Sequence, residues 1–227
     1  MVVETQDVVG SAGKKGGSKV CLRDTLGPFK PPTETPIFFV TGPSTAGKGE
    51  TLKGVIADCL ARGIVVRKLR SITERDRRDD DTNYDFITPA EMDELIASGD
   101  VMTKATINGK RYVYTWSSLF EACYLEDGTV DTRPIILEFD LQDCMHYMRE
   151  HIPGCPHVHI HADRETRYRR MESSRACLPE ALKSERLDRG CQDFSIAHAL
   201  GDPFIVHNDD GCLDETVESV SVYLRLS

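Results

Sequence analysis

The sequence predicts an α/β fold in which helices cover a mostly parallel sheet. From residue 37 onward, short runs of β-branched and aromatic residues alternate with segments of helical character, an order typical of parallel sheets. The first run, residues 37–40, leads into a glycine-rich turn, and a helix is predicted from about residue 49 to residue 60. A strand, a glycine-rich loop and a helix in this order are typical of a phosphate-binding unit.

The glycine-rich turn has the composition of a phosphate-binding loop. It consists of Gly42, Pro43, Ser44, Thr45, Ala46, Gly47 and Lys48. Small residues allow successive backbone N–H groups to surround a polyphosphate, and the following helix presents its positive N-terminal end. Lys48 is expected to reach the β- and γ-phosphates. The turn therefore predicts a nucleotide site, against the alternative of a glycine-rich turn that binds nothing.

The residue after Lys48 departs from the usual form of this loop. Ser or Thr normally stands there and contacts Mg²⁺ through its hydroxyl, whereas this chain has Gly49, then Glu50 and Thr51. We therefore predict no fixed protein ligand for the metal, and we expect phosphates and water to hold Mg²⁺.

Composition and charge exclude several classes of protein. The chain has 227 residues and a net charge of −9, which disfavours a general nucleic-acid surface. No apolar run approaches the roughly 20 residues of a membrane span, and the N-terminus lacks a signal-peptide pattern. Eight cysteines occur without a CxxC pair, as expected for thiols in a reducing compartment. We expect a cytoplasmic protein that binds neither nucleic acid nor a membrane.

The chain is expected to consist of a tail and one domain. Residues 1–35 combine a glycine- and lysine-rich stretch with prolines and are predicted to be flexible. Residues 36–226 form the domain. Within it, short alternating segments predict a β-rich lobe over residues 71–130, and two arginine-bearing helices predict a hinged flap over residues 164–190, with the second helix ending at Gly190.

Charged residues of the lobe and the flap are candidates for binding phosphates. Arg75 and Arg78 follow a strand predicted over residues 64–69, and paired guanidinium groups suit a phosphate. Further arginines lie in the flap, where closure can bring them onto a phosphoryl group in transit. For both groups the alternative is an exposed charged surface, with flap arginines paired to neighbouring glutamates.

Two other groups of side chains are candidates for metal binding. Glu138 and Asp140 end a buried strand beside the phosphate loop, where they would hold Mg²⁺ through water or orient an acceptor. His157, His159 and His161 alternate along another predicted strand. Because no acidic cluster lies near them in sequence, we favour a structural role for these histidines over a metal site.

The order of these motifs resembles that of guanylate kinase over roughly residues 36 to 226. The matching pieces are Gly42-Pro43-Ser44 through Lys48, Ser71-x-Thr73-x-Arg75-x-x-Arg78, Tyr84-x-Phe86, Gly109-x-x-Tyr112, Glu138-x-Asp140, Glu185-Arg186-Leu187 and Asn208-Asp209. The resemblance implies a P-loop three-layer fold with an inserted nucleoside-monophosphate-binding lobe and a helical lid. It also implies Mg²⁺-dependent phosphoryl transfer from ATP to a small-molecule nucleotide, GMP or dGMP.

The resemblance further implies three sets of site residues. The ATP site comprises the loop from Gly42 to Lys48 together with Gly49, Glu50 and Asn208. The acceptor site comprises Ser71, Arg75, Arg78, Tyr84, Thr103, Tyr112, Tyr114, Glu138 and Asp140. The residues expected to act on the transferring phosphoryl group are Lys48, Arg75, Arg170, Arg175 and Arg186.

The sequence differs from the family where the guanine base is contacted. Thr103 stands in the place of a glutamate that accepts hydrogen bonds from guanine, and Tyr114 in the place of a Ser or Thr. One hydroxyl cannot replace both oxygens of a carboxylate, and each unpaired donor costs about 1–3 kcal/mol. The choice of base is therefore open at this stage.

Two alternatives to a nucleoside-monophosphate kinase remain. Ribose 1,5-bisphosphate phosphokinase shares the scaffold and the motif around Asn208, and it needs no base contact. A catalytically inactive guanylate kinase-like binding module is the alternative from another class. Such modules lose the phosphate loop, whereas this chain retains Lys48.

Overall fold

A five-stranded parallel sheet forms the centre of the protein and confirms the predicted α/β fold. The computed structural model describes residues 29–77, 84–107, 109–139, 151–174, 178–199 and 203–226. The strands of the central sheet, in spatial order, are β2 (Arg67–Lys68), β7 (Ile135–Glu138), β1 (Ile37–Thr41), β8 (His157–His161) and β9 (Phe204–His207). All four neighbouring pairs run parallel.

Helices cover both faces of the central sheet. The described helices are α1 (Lys48–Ala61), α2 (Pro89–Ala97), α3 (Trp116–Cys123), α4 (Arg164–Ser174), α5 (Glu180–Ala199) and α6 (Leu213–Leu226). Side chains of β1 alternate between two buried clusters. Phe38 packs with residues of α1 and α6, and Phe39 packs with residues of α3. This two-sided burial explains why residues 37–40 of β1 are all apolar.

A second sheet follows β2 in the chain. Its strands, in spatial order, are β4 (Tyr84–Phe86), β3 (Ser71–Thr73), β6 (Lys110–Thr115) and β5 (Val101–Ile107). Strands β5 and β6 form an antiparallel hairpin in which Thr103 pairs with Tyr114 and Ala105 pairs with Tyr112. Side chains two residues apart share a face of a strand, so the hairpin presents these four residues together.

The structure corrects three boundaries predicted from the sequence. The strand predicted over residues 64–69 is reduced to Arg67–Lys68, and Val65 is exposed. The helix predicted to end at Gly190 instead continues to Ala199. Gly190 lies inside this helix, where the lack of a side chain permits a close contact. Phe29, which the sequence assigns to the tail, packs edge-on against Trp116.

Close packing of α1 on α6 depends on Gly54. A Cβ atom at this position would lie 2.5 Å from Val217 Cγ2, and valine has little freedom to rotate away. We expect Gly54→Ala to lower the free energy of unfolding by about 1–3 kcal/mol, as measured by urea denaturation. Gly49→Ala is the matched control on the same helix, because a Cβ there meets open space. This control is expected to gain about 0.5–1 kcal/mol, and equal effects of the two substitutions would contradict the packing argument.

A buried ion pair joins β2 to the segment before β7. Arg67 and Asp131 are each 3% exposed, and Arg67 Nη1 lies 2.8 Å from Asp131 Oδ2. Burial raises the pKa of Asp131, but hydrogen bonds from Arg133 and the charge of Arg67 outweigh burial and hold that pKa below its usual value. The carboxylate therefore contributes stability above its unfolded-state pKa of about 3.9, and this contribution is lost as the pH falls through the lower folded-state value.

Removing Arg133 is expected to move this acid transition. Arg133 Nη2 donates to Asp131 Oδ2 over 2.6 Å, so Arg133→Gln raises the folded-state pKa of Asp131. The loss of stability then begins at a higher pH than in the wild type. Urea midpoints measured from about pH 6 to about pH 2 test this expectation. Superimposable acid profiles of the two proteins would contradict it.

Candidate active site

The glycine-rich loop connects β1 to α1 in the predicted position. Lys48 is the first residue of α1, and Gly47 before it has a left-handed backbone with φ of 89°. No side chain in the described part of the chain caps the N-terminus of α1. The first N–H groups of a helix lack partners within the helix, so this end suits an anion.

Two glycines of the loop lie at close backbone contacts. A Cβ on Gly42 would stand 2.2 Å from the carbonyl oxygen of Ile160, and one on Gly47 would stand 2.2 Å from Asn208 Nδ2. Asn208 Nδ2 donates to the carbonyl oxygen of Ala46 over 2.8 Å. The predicted ATP-site residue Asn208 therefore holds the loop backbone in place from the side of β9.

Lys48 lies across the loop. Its Nζ donates to the carbonyl oxygen of Gly42 over 2.7 Å, and the residue is 7% exposed. By contrast, Glu50 is exposed and forms an ion pair with Lys53 over 2.7 Å. Of these two predicted ATP-site residues, only Lys48 has its charged group at the loop.

The loop fits the phosphates of a magnesium nucleotide better than it fits a directly bound metal. Gly49 offers no hydroxyl, and the Thr51 hydroxyl is buried within α1. The described residues contain no group of three His, Cys, Asp or Glu side chains arranged for a metal. Loop N–H groups and Lys48 would hold the phosphates, and Mg²⁺ would neutralise their charge.

A cavity of about 30 Å³ is lined by residues of both sheets. It is lined by Lys68, Ser71, Tyr84, Thr103, Ala105, Ile107, Tyr112, Tyr114, Glu138 and Phe139. Six of these ten are predicted acceptor-site residues, so the structure brings them together. Glu138 is the register partner of Val40 on β1, which places this cavity, the acceptor cavity, next to the strand that enters the loop.

Tyr114 attaches the hairpin to the central sheet. Its hydroxyl donates to the carbonyl oxygen of Glu138 over 2.7 Å, and its ring packs edge-on against Phe139 with centroids 5.4 Å apart. Thr103, its partner across the hairpin, is 6% exposed. The aromatic side chain at position 114 therefore forms a fixed wall of the acceptor cavity.

Four residues that line the acceptor cavity are not predicted from the sequence. Ala105, Ile107 and Phe139 supply apolar surface, and Lys68 supplies a charge. Lys68 Nζ lies 2.5 Å from Glu138 Oε2, with the two side chains 9% and 17% exposed. A signal for Lys68 is present in the sequence, because a lysine inside a predicted buried strand is seldom buried without a partner.

Arg75 stacks on Tyr84, one of the residues that line the acceptor cavity. Its guanidinium carbon lies 4.7 Å from the centre of the Tyr84 ring and 5.3 Å from that of Phe86. Arg75 is 9% exposed, and such stacking fixes the orientation of the charge. Three other predicted site residues, Arg78, Asp140 and Arg175, lie outside the described residues, and their roles stay predictions.

Of the flap arginines, Arg170 lies at the phosphate loop. Its Nη1 donates to the carbonyl oxygen of Ala46 over 3.4 Å, and its Nη2 lies 3.3 Å from Asp210. Arg186 is half-buried on α5. Arg164 and Arg169 instead form exposed ion pairs, with Asp188 and Asp210 respectively. The flap therefore contains a loop-contacting arginine, Arg170, and also an exposed arginine–glutamate pair of the alternative interpretation, Arg189 with Glu185.

Arg167 is buried and hydrogen-bonded to two other segments of the chain, which the sequence pattern does not reveal. It is 1% exposed, and it donates to the carbonyl oxygens of Ala162 and Leu187. A Cβ on Gly190 would stand 2.1 Å from Arg167 Nη1 and 2.6 Å from Pro43 Cβ. The absent side chain at Gly190 thus allows α5 to approach both Arg167 and the phosphate loop.

The three alternating histidines lie behind the loop. Thr41 Oγ1 is hydrogen-bonded to His157 Nε2 over 2.7 Å and to His159 Nδ1 over 3.0 Å. Burial, assisted by neighbouring positive charges, lowers the pKa of His159 to about 3, so this ring is neutral. These contacts fix the end of β1 immediately before Gly42, in agreement with a structural role.

The described architecture is consistent with the fold of P-loop nucleoside-monophosphate kinases. The crystal structure of guanylate kinase from Anaplasma phagocytophilum has the same fold, with a TM-score of 0.57, 22% identity and coverage of 85% of each chain. No family model matches the chain. No helix among the described residues is both long and apolar enough to cross a membrane.

Two curated guanylate kinases are similar to this chain in sequence. The chain is 30% identical to guanylate kinase from Cutibacterium acnes over 122 residues, which cover 53% of this chain and 57% of that protein. It is 28% identical to guanylate kinase from Alkalilimnicola ehrlichii over 178 residues, covering 77% of this chain and 81% of that protein. The match to the first relative thus spans little more than half of its length. The chain is thus similar in sequence to curated guanylate kinases.

Proposed function

We propose that this protein transfers the γ-phosphoryl group of ATP to a nucleoside monophosphate, with GMP or dGMP as the acceptor. The observation that carries the proposal is the adjacency of the phosphate loop and the acceptor cavity. Strand β1 leads into the loop, and its neighbour β7 ends in Glu138, which lines the cavity. The names of the curated relatives support guanine nucleotides as substrates.

Positioning and charge neutralisation would supply the catalysis, without a covalent enzyme intermediate. In this proposal Lys48 contacts the β- and γ-phosphates, and Arg170 approaches from the flap beside Ala46. Arg75 meets the acceptor phosphate, with the hydroxyls of Tyr84 and Tyr112 nearby. Bound Mg²⁺ would neutralise charge on the phosphates. Arg78, Arg175 and Arg186 are further proposed contacts to the phosphates, and Asp140 a further proposed acceptor contact.

The lining of the cavity disfavours ribose 1,5-bisphosphate as the acceptor. Tyr84, Tyr112, Tyr114 and Phe139 supply aromatic walls, which suit a planar base. Among the described lining residues, Lys68 is the cation, and Glu138 neutralises it. A second phosphate would find little compensating charge there.

The retained loop geometry disfavours an inactive binding module. Lys48 is buried across the loop, and Gly42 and Gly47 have the close contacts that a phosphate loop needs. We propose a cytoplasmic enzyme acting on small-molecule nucleotides, with no nucleic-acid or membrane partner.

An ATP-consumption assay tests the proposed function. The acceptors are GMP, dGMP, AMP, CMP, UMP and ribose 1,5-bisphosphate, each with Mg²⁺ present. We expect turnover with GMP and dGMP. Preferential turnover of ribose 1,5-bisphosphate would identify that compound as the acceptor in place of GMP. No ATP consumption with any of the six compounds would support the inactive binding module.

A further inference from the structure

Lys68 and Glu138 form a charged pair inside a cavity whose other walls are mostly apolar. The two side chains are 9% and 17% exposed, and the Nζ–Oε2 distance is 2.5 Å. They are the charged members of the described cavity lining. Burying two charges costs free energy that their attraction repays only when the geometry is good. A solvent-shielded pair at a binding cavity is therefore expected to serve recognition as well as stability.

The fold fixes this pair at one side of the acceptor cavity. Lys68 ends β2, Glu138 ends β7, and the two strands are parallel neighbours with Lys68 in register with Ile136. The backbone of Glu138 is held from the other side by the Tyr114 hydroxyl. Both charged groups are thus anchored on rigid strands, which suits a selective contact.

We propose that Lys68 and Glu138 read the edge of the acceptor's base and select guanine. This inference rests on the proposed function, because it places the acceptor base in the cavity. The aromatic walls would hold the planar ring, and the pair would meet its edge. Guanine presents the O6 acceptor on one side of that edge and the N2 amino donor on the other, with N1–H between them.

The two charged groups match this arrangement of donors and acceptors. The Lys68 ammonium can donate to O6 while one of its other protons stays on Glu138. The Glu138 carboxylate has capacity to accept from N1–H and from the amino group. Adenine presents an amino group in place of O6 and a bare ring nitrogen in place of N1–H, so it would leave both protein groups poorly paired. The pair would thereby supply the carboxylate contact that Thr103 cannot make.

Binding titrations of the wild type provide a test that needs no substitution. We expect the affinity for IMP, which lacks the amino group, to be about tenfold below that for GMP. The affinity for AMP is expected to be at least about 100-fold below that for GMP. Equal binding of the three monophosphates, or tighter binding of AMP, would overturn the proposal whatever the variants do.

Lys68→Met is the variant that tests the pair itself. It keeps the length of the side chain but removes the donor to O6. The affinity for GMP is therefore expected to fall about 10- to 100-fold, and the ratio of the GMP affinity to the AMP affinity is expected to be largely lost. Lys68→Arg should recover part of the ratio. Lys53→Met is the matched control, because Lys53 also pairs with a glutamate but lies exposed on α1. A folded Lys68→Met protein with an unchanged ratio would overturn the proposal, since a merely structural lysine would not set base preference.

The titrations separate this inference from the proposed function. If GMP binds selectively and the selectivity depends on Lys68, but no phosphoryl transfer occurs, the proposed role of Lys68 and Glu138 in base selection is supported and the proposed kinase activity is rejected. If GMP is phosphorylated and the GMP-to-AMP ratio is independent of Lys68, the kinase activity stands and the pair fails. Absence of binding to any monophosphate rejects both.

Discussion

Replacing Lys48 with methionine is expected to lower kcat/KM for phosphoryl transfer by about 10²–10³-fold, which is the loss typical of removing one donor to transition-state charge. Lys48 lies on the loop with its ammonium 2.7 Å from the carbonyl oxygen of Gly42, where incoming phosphates would meet it. Methionine has a similar length and no charge, so the loop should keep its packing. Initial rates with ATP and GMP measure the effect, and thermal unfolding checks the fold.

Lys53→Met is the control for this prediction as well. Lys53 lies on the same helix, and its side chain is 61% exposed, so its removal should leave kcat/KM within about twofold. Wild-type rates in the Lys48→Met protein would show that ATP binds elsewhere. Loss of the fold in the Lys48 variant would instead assign the lysine a mainly structural role.

Gly190→Ala is expected to cause the largest loss of stability, about 3–5 kcal/mol. The added Cβ would stand 2.1 Å from Arg167 Nη1 and 2.6 Å from Pro43 Cβ. Arg167 is 1% exposed and bonded to two carbonyl oxygens, so it cannot move aside without losing buried hydrogen bonds. Disrupting a buried charged group costs about 3–5 kcal/mol. Urea denaturation monitored by circular dichroism gives the free energy of unfolding.

A second substitution shows whether the clash with Arg167 is the cause. Arg167→Leu shortens the side chain, so Gly190→Ala should cost at least about 1 kcal/mol less in that background. Additive effects would mean that the contact with Pro43 dominates. A fully stable Gly190→Ala protein would contradict the close approach of α5 to the loop. Gly49→Ala, whose Cβ meets open space, controls for the general effect of alanine in a helix.

Much of the fold follows from local patterns. The apolar run before Gly42 predicts β1 because a strand buried on both faces needs side chains of this kind on both sides. The phosphate-binding site at the loop can be predicted from the sequence because it requires small residues followed by a helix, and both are local features. The family motifs assign Ser71, Tyr84 and Tyr112 to one acceptor site, and these three residues do line one cavity.

Other features depend on contacts between distant parts of the chain. Nothing near Gly190 in sequence shows that Arg167 and Pro43 lie against it, so a helix end is the natural interpretation of this glycine from sequence alone. The charge partner of Lys68 is 70 residues away, and parallel pairing of β2 with β7 creates the contact. Tyr114 becomes a cavity wall through its hydrogen bond to Glu138, which the pattern of β6 does not specify.

The central claim is that the phosphate loop binds ATP and the acceptor cavity binds the nucleoside monophosphate, so that one phosphoryl group is transferred between them. A crystal structure with Mg²⁺, the non-hydrolysable analogue AMP-PNP and GMP tests this claim most directly. We expect the γ-phosphorus near Lys48 and within about 3–3.5 Å of a GMP phosphate oxygen, with the base between Tyr114 and the Lys68–Glu138 pair. GMP bound away from the cavity, or phosphates that do not meet, would contradict the claim.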